Sequence, residues 1–275
     1  MRMIFPSAGE ELDDFSLAEV YAYPADTWLR ANFVSSADGA AYVDGRSGGL
    51  SSPADMRLFG LLRVLADVVL VGAGTARTEQ YKPARRRPAL ARLREGRPAT
   101  VPIAIVSHSL DLDLGTPLFT EAPPDARTIV ITCEGSPGNR RAEIAKAADV
   151  IVAGETQVDL AQAVGELAKR GLGRVICEGG PHLLGSLSAV GLLDELSLTL
   201  SPTLAGPGAS RIIAGPQLPA ERMSLATVLA DDNFLFCRYT TAAGSSQLCS
   251  RADGYVPGLT VIRPAAVAAP SSRLS

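Results

Sequence analysis

An α/β fold, built on a mainly parallel central sheet flanked by helices and finished by an antiparallel C-terminal edge, is predicted from three features of this 275-residue chain. Short, β-branched apolar runs alternate with helical patterns through the first two thirds of the sequence. Glycine-rich turns directly follow two of those runs. Beyond residue 190 the strands succeed one another with no helix between them long enough to cross over.

Residues 1–27 read as a lead-in, with a short helix or a loose segment. Leu29–Val34 is a strand that enters the polar turn Ser35–Gly39, and Ala40–Val43 extends a second short strand. Asp44–Leu50 has three glycines in seven residues and reads as a flexible loop. Ser51-Ser52-Pro53 starts a helix, because serine caps free N–H groups and proline fits the first helical position. The helix runs to about Leu65, with Met56, Phe59, Leu62 and Val64 or Leu65 as its apolar face. Val68–Val71 has the composition of a strand buried on both faces.

The alternation continues with strands at Val101–Val106, Thr128–Thr132, Val150–Val152 and Arg174–Cys177. Helices fall at Asn139–Ala147, Val158–Arg170 and His182–Val190. Leu193–Ser201, with Leu196, Leu198 and Leu200 on one face, is followed by strands Met223–Leu229 and Phe234–Thr240. The proline- and glycine-rich segment Pro202–Pro219 joins them. Residues 242–275 lack periodicity and read as a poorly ordered tail. The organisation is a lead-in over 1–27, one domain over 28–241, and the tail.

With 47% hydrophobic and 20% charged residues, the chain has enough apolar material for a large core. A net charge of −3 argues against a nucleic-acid partner, one basic stretch from Lys82 to Arg97 aside. The four cysteines, Cys133, Cys177, Cys237 and Cys249, form no C-x-x-C pair. With only His108 and His182 to join them, no metal site is expected. The start of the chain has no signal-peptide pattern and no apolar run reaches membrane-spanning length, so the expected location is the cytoplasm.

Two turns carry the chemistry. Gly72-Ala73-Gly74-Thr75 follows one buried strand, and Glu178-Gly179-Gly180-Pro181 follows another and precedes a helix. Glycine lets a backbone approach a ligand closely, and a helix start offers unpaired N–H groups to a phosphate. Ligands of open α/β sheets bind at the carboxyl ends of the strands. Neither turn is G-x-G-x-x-G or a P-loop. Ser107 and Ser109 end another strand where hydroxyls suit a 2′-phosphate, which favours NADPH. Asp38, Asp67 and Glu178 are the candidate acid/base groups. Hydride transfer tolerates so few, because the cofactor carries the reactive hydride.

Asn32–Gly39, Ser47–Pro53, Gly72–Thr75, Glu178–Pro181 and Leu192–Leu196 together resemble the RibD C-terminal family, the riboflavin-pathway reductases of dihydrofolate-reductase-like fold. The resemblance spans residues 28–240. It implies an NADPH-dependent reductase, usually a homodimer, acting on a phosphoribosylamino-pyrimidine, 5-amino-6-(5-phosphoribosylamino)uracil. By position, it gives Thr75, Glu79, Val152, Gly179, Gly180 and Pro181 to the cofactor, alongside Gly74 from the first turn. It gives Ser47, Arg63 and Glu178 to the substrate side, with Asn32 and Asp38 in the same cleft. The H-x-E and P-C-x-x-C motifs of a deaminase are absent from this sequence, so a stand-alone reductase is expected.

After the first glycine turn the family carries Asp-Asp-Pro-x-Leu-x-x-Arg, where this chain reads Thr78-Glu79-Gln80-Tyr81-Lys82-Pro83. Arg85–Arg87 are the alternative phosphate site there. Dihydrofolate stays open as a second substrate, with Asp67 or Asp38 binding its pyrimidine-like edge. A non-catalytic dinucleotide-binding protein is the competing class, against which the polar set Asn32, Asp38, Ser47 and Glu178 speaks.

Overall fold

The computed structural model describes residues 1–215 and 217–241. The expected tail and Cys249 lie outside the described residues. In chain order the strands are β1 (Arg2–Phe5), β2 (Trp28–Ser36), β3 (Val68–Gly72), β4 (Ile103–Val106), β5 (Ile129–Thr132), β6 (Asp149–Val152), β7 (Arg174–Cys177), β8 (Glu195–Ser201), β9 (Ser224–Asp231) and β10 (Phe234–Thr240). The helices are α1 (Asp14–Val20), α2 (Pro53–Leu65), α3 (Ala73–Thr78), α4 (Pro117–Thr120), α5 (Gly138–Ala147), α6 (Leu160–Lys169) and α7 (Pro181–Ala189).

One sheet takes all these strands in the order β1-β9-β10-β8-β2-β7-β3-β4-β5-β6. From β8 to β6 every neighbour is parallel, and the β8-β10-β9-β1 side is antiparallel. The continuous apolar run of β3 is explained by the helices that cover both of its faces. Val69 and Val71 belong to one core cluster with Leu58, Leu61 and Leu62 of α2. Val68 and Leu70 belong to the other, with Val164 and Leu167 of α6 and Leu183 and Leu187 of α7.

Several expectations change. Of the two alternatives for residues 1–27, the short helix is present as α1 and the loose segment is not: β1 pairs with β9, and Met1, Leu17, Tyr21 and Tyr23 are buried. Four residues pairing with a strand at the far end of the chain leave no local signal. Ala40–Val43 is not a strand; Val43 alone bridges to Arg46. The flexible loop is instead a tight Asp-Gly turn, with Asp44 at φ 50° and Gly45 at φ 75°, followed by a 3-10 turn over Ser47–Leu50. Helix α2 buries Leu62 and Val64 of its expected face, adds Leu58 and Leu61, leaves Phe59 half-buried and turns Met56 out at 52% exposure.

The alternation of β8 is real, but its leucines occupy the more open face. Glu195, Ser197, Thr199 and Ser201 are buried instead. Their burial is organised by Glu195, whose carboxylate accepts from Arg30 Nε at 2.6 Å, Arg238 Nη2 at 3.0 Å and Trp28 Nε1 at 3.1 Å. Burial alone would raise the Glu195 pKa; Arg238 and Arg30 outweigh it and hold the carboxyl at about 2. Strands β2, β8 and β10 are thereby locked in register next to α1.

Candidate active site

Strands β7 and β3 are neighbours, so their carboxyl ends lie side by side, and the two glycine turns form one corner. Gly72 N–H donates to Gly179 O at 2.7 Å. Gly179 has φ +119°, a conformation that L side chains rarely adopt. A Cβ on Gly180 would stand 2.4 Å from Thr75 Oγ1, so only glycine lets the turns close on each other. A Cβ on Gly74 would meet nothing within 4 Å, which leaves its backbone open to the cleft. Neither α3 nor α7 has a side-chain cap on its first N–H groups. At α7, a nine-residue helix beginning at Pro181, those donors and the positive dipole end are placed for an anion. The corner therefore fits a phosphate-bearing group.

The corner is one wall of a cleft of about 1230 Å³, which is more than a single small ligand needs and suits a dinucleotide with a substrate beside it. The opposite wall is α2. Asp55, Phe59 and Arg63 recur every four residues on one face of that helix and line the cleft. This is why α2 turns its leucines the other way. Arg63 donates to Glu178 through Nε at 2.7 Å and Nη2 at 2.6 Å, a bidentate pair with Glu178 only 1% exposed in its side chain. Burial opposes the charge on Arg63, but Glu178 more than offsets it, and the pKa of Arg63 lies above its ordinary value. The Tyr81 hydroxyl also donates to Glu178, at 2.9 Å. Burial and the adjacent Glu178 carboxylate push the Tyr81 pKa well above its ordinary value, so it remains protonated.

Asn32, Ser47 and Glu79 line the same cleft. Ser47 donates to Glu79 Oε1 from both its backbone N–H and its hydroxyl, each at 3.0 Å, so a residue expected on the substrate side holds one expected on the cofactor side. Arg85, Arg86 and Arg87 are exposed at the mouth. Arg87 lies against Gly60 of α2, where a Cβ would stand 1.8 Å from its Nη2.

Other expected site residues lie elsewhere. Asp67 sits at the amino end of β3, on the opposite edge of the sheet. It is paired with Arg97 at 3.1 Å and accepts from Arg174 N–H at 3.0 Å. Arg97 and Arg94 also donate to the last carbonyls of α2, so Asp67 belongs to a helix-terminus clamp. Asp38 is exposed and does not line the cleft. Its carboxylate accepts from the Ser36 hydroxyl and from Ala205 and Gly206 N–H at 3.1 and 2.8 Å. These bonds, led by Ser36, lower its pKa to about 2 and make it an anionic staple for the loop after β8. Ser107 is buried with its hydroxyl accepting from Leu110 N–H, and Ser109 accepts from Asp111 N–H at 3.4 Å. Neither lines the cleft. Val152, 40% exposed, ends the outermost strand, three places from β3.

Tyr81 and Asp55 were not among the expected site residues. Tyr81 lies in an irregular segment with no periodicity to place it. Asp55 had a readable signal, the spacing of four that links it to Phe59 and Arg63.

The RibD C-terminal domain family model matches residues 27–237. A 2,5-diamino-6-ribosylamino-4(3H)-pyrimidinone 5′-phosphate reductase of Methanothermobacter thermautotrophicus is 29% identical over 175 residues, covering 64% of this chain and 77% of that protein. The enzyme of the same name from Archaeoglobus fulgidus is 29% identical over 182 residues, covering 65% and 82%. A solved pyrimidine reductase-like protein of Corynebacterium diphtheriae superposes with a TM-score of 0.72 at 28% identity, over 78% of this chain and 92% of its own.

Proposed function

The chain belongs to the RibD C-terminal domain family, and from that premise we propose that it is an NADPH-dependent reductase of a phosphoribosylamino-pyrimidine. The observation that carries this reading is the single cleft in which the joined glycine corner faces the Arg63–Glu178 pair and the arginines at 85–87. One side suits the phosphates of a dinucleotide, and the other suits a sugar phosphate. In the proposed reaction the ribosyl ring opens to a C1′=N imine. A hydride adds to C1′ and a proton to nitrogen, giving the ribityl chain. A nicotinamide dinucleotide, when bound in the glycine corner, would supply that hydride and be oxidised in doing so.

The protein's part is binding and orientation. Gly74, Thr75, Gly179 and Gly180 hold phosphates by backbone N–H groups, Pro181 sets the start of α7 beside them, and Ser47 keeps Glu79 in the same corner. Arg63 and Glu178 position the sugar chain, with Tyr81 fixing the carboxylate. Arg85–Arg87 receive the 5′-phosphate at the mouth. The preference for NADPH over NADH rests on the family, since the hydroxyls of Ser107 and Ser109 make turn bonds.

We also infer a homodimer. The support is the open face of the antiparallel edge, where Leu196, Leu198 and Leu200 are half-buried and Leu225 and Leu235 are 39% and 37% exposed. Sedimentation is expected to give twice the 28.7 kDa chain mass, and a monomer overturns this inference.

The test of the reaction is NADPH consumption with phosphoribosylamino-pyrimidine, and separately with dihydrofolate. Consumption with the pyrimidine alone is expected. Turnover of dihydrofolate alone, or of neither, contradicts the assignment.

A further inference from the structure

The reductase reading gives no role to either histidine, and the two differ in what holds them. His108 Nε2 bonds the Thr156 carbonyl at 3.0 Å, which ties it to a loop beyond β4. His182 is exposed, lines the cleft and is the second residue of α7. Neither of its ring nitrogens has a hydrogen-bond partner among the described residues. The chain after β8 runs alongside this turn without engaging the ring. Ala214 N–H donates to Pro181 O at 3.1 Å, and Gly215, next to His182 Nδ1, has no side chain to offer it.

The helical pattern of α7 begins with Leu184 N–H, which bonds Gly180 O at 3.1 Å. Pro181 has no N–H, so the open donors of the first turn are those of His182 and Leu183. His182 thus brings a backbone donor and an imidazole to the same corner. The charged groups on the elements around it are engaged or permanently charged. Glu178, in the turn before α7, receives Arg63 and Tyr81. On α3 and at its C-cap, Arg77 is paired with Asp111 and Glu79 receives Ser47. Arg211, on the segment after β8, is exposed and keeps its charge at every working pH. His182 is the group here with neither a partner nor a fixed charge.

We propose that His182 is a pH-dependent contact to the pyrophosphate of the dinucleotide, so that the cleft holds its cofactor more tightly in acid than in alkali. Imidazole is the side chain whose ordinary change of charge falls between about pH 5 and 8. In its protonated form the ring adds a charged donor to the two open N–H groups of α7, and a phosphate beside it favours that form. The contribution is therefore complete where the imidazolium predominates and is lost as pH rises through its titration in the complex. Each phosphate of a pyrophosphate bridge keeps one negative charge throughout this range, so the ring is the partner that changes. This rests on the reading above, that the glycine corner holds the phosphates of a dinucleotide.

The test is the dissociation constant of NADPH and of NADH, titrated at constant ionic strength between about pH 5.5 and 8.5, in wild type, His182→Gln and His182→Arg. The 2′-phosphate of NADPH itself titrates at about pH 6, so the readout is the ratio of variant to wild type at each pH. For His182→Gln that ratio is expected to fall from about fivefold at the acid end to about one at the alkaline end, equally for both dinucleotides. His182→Arg is expected to match wild type in acid and to bind about fivefold more tightly in alkali. A merely structural role would shift both ends alike, so a His182→Gln ratio independent of pH overturns the proposal. A pH-dependent ratio with NADPH alone also overturns it, because the ring would then meet the 2′-phosphate. Should His182→Gln fail to fold, His182→Arg decides, since no gain in alkali overturns the proposal. Failure of wild type to bind either dinucleotide is a different result: it removes the corner as a cofactor site, and this proposal falls with it.

Discussion

Two carboxylate–arginine pairs sit at opposite ends of adjacent strands, and their contrast shows what makes a charge functional here. Asp67–Arg97 lies at the amino end of β3, and Glu178–Arg63 at the carboxyl end of β7. Both pairs are largely buried and both join a strand end to the region around α2. Asp67 closes against backbone groups: it accepts from the Arg174 N–H, while Arg97 donates to carbonyls at the end of α2. Glu178 has its second contact from a side chain, Tyr81, and faces a cleft. The ion pair is common to both. Both edges also carry a glycine turn, Gly171–Gly173 beside Asp67 and Gly179–Gly180 beside Glu178, but at the carboxyl edge the turns open the uncapped helices α3 and α7.

If that contrast holds, the two carboxylates respond differently to loss of charge. The largest effect is expected from Glu178→Gln, which strands the Arg63 guanidinium. Stability should fall by about 3 kcal/mol in urea unfolding and kcat/KM by at least about a hundredfold. Asp67→Asn should cost about 1–2 kcal/mol of stability and leave kcat/KM within about twofold. Equal catalytic losses in the two variants would erase the distinction.

Next in size is Gly180→Ala. Its Cβ would meet Thr75 Oγ1 at 2.4 Å and push the two turns apart. NADPH affinity, read by titration, should weaken about tenfold to a hundredfold. An unchanged affinity would mean that the corner is not the phosphate site.

A smaller effect concerns Asp38, whose folded pKa of about 2 lies below the ordinary value of 3.8. The unfolded chain binds the proton more readily, so the staple's contribution is complete above about pH 4 and is lost as pH falls through about 2. Acid unfolding of wild type and Asp38→Asn should differ by a constant amount above that window and converge below it. Convergence at neutral pH instead would deny Asp38 its role. The smallest effect is expected from Ser109→Ala, with NADPH affinity changed by less than about twofold. A large loss there would return the 2′-phosphate to β4.

Much of this contrast was readable in the sequence. The glycine turns were legible because turn chemistry is local, and the parallel strands because burial on both faces leaves an unbroken apolar run. Asp67 and Glu178 were separable in principle. One precedes its strand and the other follows it, and ligands gather at the carboxyl ends. Three features were not legible. β1 finds its partner at the far end of the described chain, in β9. Tyr81 reaches Glu178 from a segment without periodicity. The leucines of β8 gave the correct alternation but not which face would be covered, because that depended on Arg30 and Arg238 arriving from other strands to bury Glu195.

The central claim is that one cleft joins a dinucleotide corner to a pyrimidine pocket through Glu178 and Arg63. It is tested most directly by following NADPH consumption and ribityl product together, with the phosphoribosylamino-pyrimidine, in wild type and Glu178→Gln. The account predicts equimolar NADPH loss and product formation in wild type, and near-complete loss of both in the variant with NADPH still bound. Product formation by Glu178→Gln at the wild-type rate, or NADPH binding in wild type without any product, would contradict it.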